Sequence, residues 1–252
     1  MHMKKWFLPL LLVFVHCGTQ QRTHNFDIVI YGGSSAGIMA AVQAAAMGKK
    51  VVLLSPQKHL GGLTSSGLGW TDLGQPHTIA GLSRKFYQRI HDYYLQDSAW
   101  KQETRNDYIT KMSNGRSWDK EMVPNNGIMT TFEPHVAERI FNSFLQEHSV
   151  TVVTDSWLDR EQGVQKKDGK IVAIRMLDGT VYEGSVFIDA TYEGDLMAAA
   201  GVSFTIGREA NSVYDEYANG IQAANATKNQ LLPGISPYII EQDTTSGLLP
   251  GI

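Results

Sequence analysis

The chain has 252 residues, 42% of them hydrophobic and 19% charged, a balance that excludes disordered and fibrous classes and reads as globular. Twenty-two Lys and Arg against 25 Asp and Glu give a net charge of −3, and no basic stretch is interleaved with aromatics, so nucleic acid is not an expected partner. The eight histidines are scattered, none at ligand spacing with a cysteine or a second histidine, so no metal site is expected.

In chain order, residues 1–17 read as an export signal: Lys4 and Lys5, then ten apolar residues over 6–15, too short for a permanent membrane span. Cys17, the one cysteine, stands where a bacterial lipoprotein signal places its lipidated residue, although His16 departs from the small residue such signals prefer. The expectation is a protein exported to the periplasm, with membrane attachment through lipidated Cys17. Polar residues 18–25 read as a short tether. Without Cys17 the domain has no thiol for a disulfide, a redox pair or an iron–sulfur cluster.

Residues 26–31 (FDIVIY) end in glycines and read as a buried parallel strand, and the alanine-rich stretch 36–47 as a helix stopped by Gly48. Residues 50–54 (KVVLL) give a second buried strand, so 26–55 is a βαβ crossover unit. A glycine-dense loop follows at 59–69. Residues 79–95 return to helical spacing, 97–127 read as an irregular excursion, and 132–147 form a helix with Thr131 as N-cap. Residues 150–153 are a third buried strand, and 170–176 with 180–182 form a hairpin around Asp178-Gly179. Residues 186–188 are a further apolar strand, with a loop over 189–194 and a short helix from Asp195. The pattern weakens after Gly201, and the last residues (SGLLPGI) read as the middle of a loop.

The first constellation with chemistry is Gly32-Gly33-Ser34-Ser35-Ala36-Gly37. In a nucleotide-binding βαβ unit the glycines permit a tight turn, close backbone approach to a pyrophosphate and close helix packing, while the helix N-terminus faces the phosphates. Ser34 replaces the middle glycine and brings a hydroxyl that can donate to phosphate. At the end of the second strand, where an acid usually holds the ribose hydroxyls, stands Ser55. That position argues against an NAD enzyme. Gly61, Gly62, Leu63 and Thr64, with Ser65 and Ser66, suit a loop running under a pyrophosphate and ribityl chain, which points to FAD.

The motifs YGGSSAG (31–37), HLGGLTSSGLGWTD (59–72), TFEPHVAE (131–138) and FIDATYEGDLMAAAGVSF (187–204) resemble the FAD-dependent oxidoreductase family. The resemblance is closest to bacterial exported members, many loosely labelled xanthan lyase or heterodisulfide-reductase-like. It implies a Rossmann-like α/β fold, with a parallel sheet, crossover helices and a β-hairpin insertion, incomplete at its C-terminus. It implies an FAD-binding domain over 26–205 with an insertion at 70–130, and the start of a substrate domain over 206–252, as in an N-terminal fragment. It also implies cofactor contacts from Ala190 and Thr191 and from backbone near Trp157 or Leu158. Tyr192 stands where many flavoproteins have glycine, implying a looser approach there. The activity implied is hydride transfer from a small-molecule substrate to flavin, with an unidentified electron acceptor. His59, Asp72, His77, Glu193 and Asp195 lie in or beside the motifs, but none is singled out as catalytic. The rival readings are an NAD-dependent dehydrogenase and a non-catalytic surface lipoprotein on the same fold. A polysaccharide lyase lacks an Asn/His/Tyr arrangement for β-elimination.

Overall fold

The computed structural model describes residues 22–71, 76–113, 127–216, 219–220 and 234–249. Cys17, the expected signal, Asp72 and residues 250–252 lie outside these. The chain divides into two compact units, Met1–Val202 and Ser203–Ile252.

Eight strands and five helices are described: β1 (Thr23–Asn25), β2 (Ile28–Tyr31), α1 (Ser35–Ala46), β3 (Val51–Leu54), α2 (Gly81–Tyr94), α3 (Arg105–Ser113), α4 (Pro134–Glu147), β4 (Thr151–Val153), β5 (Val164–Lys167), β6 (Lys170–Arg175), β7 (Val181–Glu183), β8 (Val186–Asp189) and α5 (Asp195–Ala199). The centre of the first unit is an all-parallel sheet in the order β4-β3-β2-β8, in which Tyr31 lies opposite both Leu54 and Asp189. A second sheet, β1-β7-β6-β5, is antiparallel except for the β1–β7 pair.

Strand alternation divides the core in two. Ile30, Val51 and Leu53 face the helical layer with Ile38, Val42, Phe86, Phe141 and Phe144, while Val29, Tyr31, Val52 and Leu54 face the second sheet through Ile174, Met176 and Tyr182. The order of layers is therefore helices, parallel sheet, antiparallel sheet. This is an α/β architecture with a Rossmann-like parallel core. Residues 23–25 of the expected tether form β1, paired with β7, although their sequence THN is polar and exposed.

The stretch 97–127 is less irregular than its sequence pattern implies, because it holds α3. Thr104 accepts from the Asp107 amide at 3.1 Å and donates to the Asp107 carboxylate at 2.7 Å, a capping pair that starts the helix. Helix α4 begins at Pro134 with Glu133 as N-cap, not at Thr131. The residues before it run extended against the glycine loop, with Phe132 N–H donating to Gly69 O and Thr71 N–H to Thr130 O. Within the second unit, Tyr238 and Leu248 form an antiparallel bridge, and Ile239 N–H donates to Gly247 O.

Candidate cofactor site

Three loops leave the carboxyl ends of β2, β3 and β8, the end of a parallel α/β sheet at which ligands gather. Gly32 follows β2 with φ +118°, and a Cβ there would collide with the backbone of Ala190 and Thr191 after β8. A Cβ on Gly33 would collide with Ser55, and one on Gly37 with the carbonyl of Gly32. Glycine at these three positions lets the β8 loop and α1 close onto the β2 turn.

Ser34 caps α1. Its Oγ accepts from Gly37 N–H at 3.3 Å and donates to Ala190 O at 2.6 Å, so the hydroxyl joins two loops and is not aimed at a phosphate. Ser55 is buried, and its Oγ donates to Gln57 O at 2.8 Å and accepts from Gln57 N–H at 3.2 Å. This local turn under Gly33 engages the group expected to meet a ribose.

Gly61 (φ +109°) donates its amide to Gly33 O at 2.8 Å, tying the glycine loop to the β2 turn. Residues Gly62–Ser65 coil into one 3₁₀ turn. Gly62 leaves room for the hydroxyl of Tyr192, which accepts from Leu63 N–H at 2.8 Å. Tyr192 thus ties the β8 loop to the glycine loop. Thr191 turns its amide and hydroxyl onto Asp189 Oδ1 at 3.0 and 2.7 Å, shaping the loop from within. Leu158 does not present its amide to a ligand: paired with Met176, it points that N–H inward to Tyr31 Oη at 3.1 Å. Burial in turn raises the Tyr31 hydroxyl above its ordinary pKa.

A cavity of about 230 Å³ lies where the glycine loop meets helices α1, α2 and α4. Ser35 and Ala36 in the first turn of α1, Thr64 of the glycine loop, Ser83 in the first turn of α2, and Tyr87 and Phe141 line it. Hydroxyl-bearing side chains share it with first-turn amides, which have no intrahelical acceptor, and no carboxylate or ammonium is among the lining residues. That donor set suits a diphosphate: neutral donors and a helix N-terminus toward the anion, and no competing charge. The volume takes part of a dinucleotide, being below the roughly 300 Å³ of small drug-sized sites. Ser83 and Tyr87 had no sequence signal beyond their place in an amphipathic helix.

Sequence comparison decides the affiliation. A model of the family described as FAD dependent oxidoreductase matches residues 27–244. The chain belongs to that family. Its similarity to individual members is distant. It is 28% identical over 117 residues to the NADH:acrylate oxidoreductase of Vibrio harveyi, covering 41% of this chain and 12% of that protein. It is 32% identical over 72 residues to the 4-oxocyclohex-2-ene-1-carboxylate 5-dehydrogenase of Sinomonas cyclohexanicum, covering 28% and 12%. The solved L-proline dehydrogenase from P. horikoshii superimposes with a TM-score of 0.45 at 15% identity, covering 75% of this chain and 58% of that one. The matches thus span only a small part of the curated relatives.

The other residues near the family motifs have structural partners or none in the site. His59 is exposed and sits 3.1 Å from Glu138 Oε1, the same carboxylate that accepts from Leu60 N–H. Asp195 pairs with Arg160 at 3.3 Å. His77 lies in the 3₁₀ turn Pro76–Thr78, and both it and Glu193 are exposed.

Proposed function

We propose that this chain binds FAD and forms the cofactor-holding part of an oxidoreductase acting on a small-molecule substrate. The observation that carries the reading is the cavity where Ser35 and Ala36, at the N-terminus of α1, meet Thr64 of the glycine loop with no acidic side chain on the lining. Gly32, Gly33 and Gly37 let the backbone of three loops converge beside it, and the Ser34–Ala190 and Tyr192–Leu63 hydrogen bonds fix their spacing. In this reading the amides of Ser35 and Ala36 and the hydroxyl of Thr64 would hold the diphosphate, and Gly61, Gly62 and Leu63 would give the rest of the cofactor close backbone approach. When bound, FAD supplies two-electron chemistry, taking hydride from a substrate C–H bond and yielding the electrons to a second acceptor. Export and lipid attachment at Cys17 belong to the same proposal.

The test is the visible spectrum of the complete natural protein purified without residues 1–17. A flavin spectrum, present on purification or restored by added FAD, is the expected result. A folded protein that stays colourless with added FAD overturns the reading. Metabolic labelling with a radioactive fatty acid should mark the full chain and not a Cys17→Ala variant.

A further inference from the structure

A second cavity, of about 330 Å³, lies beyond the cofactor site. The two are separated by an aromatic partition: Phe132 lines this one, Phe86 lines the other, and their rings stand edge to face at 5.7 Å. Its walls are Tyr94, Trp100, Tyr108 and Phe132, with Glu133 and Lys101 also on the lining. The aromatic side is held in place. Trp100 Nε1–H donates to Tyr94 O at 3.0 Å, ring centroids are 5.4 Å apart for Tyr94–Trp100 and 5.2 Å for Trp100–Tyr108, and Tyr108 Oη bonds Thr131 Oγ1 at 2.6 Å.

The polar groups point to the kind of ligand. The indole N–H is engaged, and the Tyr94 hydroxyl donates to Glu133 Oε2 and accepts from Glu133 N–H, both at 2.9 Å. Burial raises the Tyr94 and Tyr108 hydroxyls above their ordinary pKa, so both remain protonated and neutral. Glu103 is paired with Lys111. Glu133 has no basic partner among the described residues, and Lys101 on the exposed rim has no acidic one. Besides the unpaired Lys101 ammonium, which favours an anion, the recognition elements left open are Glu133 Oε1, exposed like Lys101, and the aromatic rings. Both favour positive charge, the first through a charge-assisted contact and the second through the ring quadrupole.

We propose that this cavity binds a small organic cation, an ammonium with apolar substituents, its charge against Glu133 and the aromatic walls. The volume is at the small end for a ligand site, suited to an amine of a few carbons and too small for a nucleotide. The proposal does not depend on FAD binding.

Choline is the probe, titrated into the complete protein and followed by calorimetry, beside its neutral carbon isostere dimethylbutanol and glucose. Choline should bind, and the isostere at least about tenfold more weakly, the size of one good charge contact. Glu133→Gln keeps an acceptor for Tyr94 and should weaken choline about tenfold without changing the isostere. Lys101→Glu exchanges a repelling charge for an attracting one and should tighten choline, a gain that misfolding cannot produce. Equal binding of choline and dimethylbutanol, stronger binding of glucose, no binding of choline, or no tightening in Lys101→Glu would each overturn the proposal.

Discussion

Gly32 and Tyr192 show how single residues set the cofactor site. At φ +118°, with the Ala190 backbone where a Cβ would stand, Gly32 has two reasons to be glycine. Gly32→Ala should cost about 2 kcal/mol or more of folding stability, read as a lower urea midpoint at unchanged slope. A loss below about 0.5 kcal/mol would mean that the β8 loop can move aside. Tyr192 acts at the opposite rim, where its hydroxyl accepts from Leu63 N–H while its ring remains largely exposed. Tyr192→Phe keeps the ring and removes the acceptor, a change of about 1 kcal/mol. If the glycine loop must be held for the cofactor, FAD affinity should fall by roughly fivefold, measured by fluorescence quenching on titration.

At the scale of elements, the helical layer depends on Phe141. Its ring stacks on Phe86 at 4.5 Å and 16°, joining α2 to α4 beneath the cofactor cavity. Phe141→Ala should destabilise by about 3–5 kcal/mol, since the buried ring leaves a void against a rigid sheet. The second sheet has an electrostatic tie instead. Arg175 on β6 reaches Asp159 Oδ2 at 2.7 Å, and this bond, with the amides of Gln162 and Glu161, holds the Asp159 carboxyl below its ordinary value of 3.8. A carboxyl depressed in the native state adds stability that is complete above 3.8 and is lost as pH falls through its native pKa. Melting temperature should therefore drop on acidification below about pH 4, and Asp159→Asn should flatten that limb.

How far these elements were legible follows from the same contacts. The βαβ unit was, because burial on both faces leaves VVLL and IVIY with no polar interruption. The hairpin at Asp178-Gly179 was legible by its turn. Strand β5 was not: its residues VQKK are mostly exposed, and only Asp168-Gly169, both at positive φ, marks the turn that pairs Lys167 with Lys170. Helix α3 was hidden for the opposite reason, a clear capping pair in front of a weak apolar stripe. In the site, glycine positions were readable because backbone clearance is a local need. The commitments of Ser34, Ser55 and Leu158 were not, because each depends on a partner far along the chain or on a turn that only the folded loop defines.

At the scale of the whole molecule, three loops from one sheet edge are already tied to one another by hydrogen bonds, so a ligand held among them stabilises the native state as a unit, and this makes the cofactor proposal measurable without catalysis. A ligand that binds only the native state at about 100 times its Kd adds about 2.7 kcal/mol, which raises the melting temperature by roughly 5–10 °C for a unit of this size. Where protection appears is more telling than how much. Gly61 N–H and Leu63 N–H already have acceptors in Gly33 O and Tyr192 Oη, so their exchange with solvent deuterium should be slow before FAD is added. Ser35 and Ala36 lie in the first turn of α1, where a helix offers its amides no partner, and they line the cavity. Their exchange should be fast without FAD and should slow sharply with it, ahead of any change in the second sheet. A thermal shift without protection at these two amides would place the ligand elsewhere on the chain, and protection at them with inorganic pyrophosphate alone would assign their role to the diphosphate.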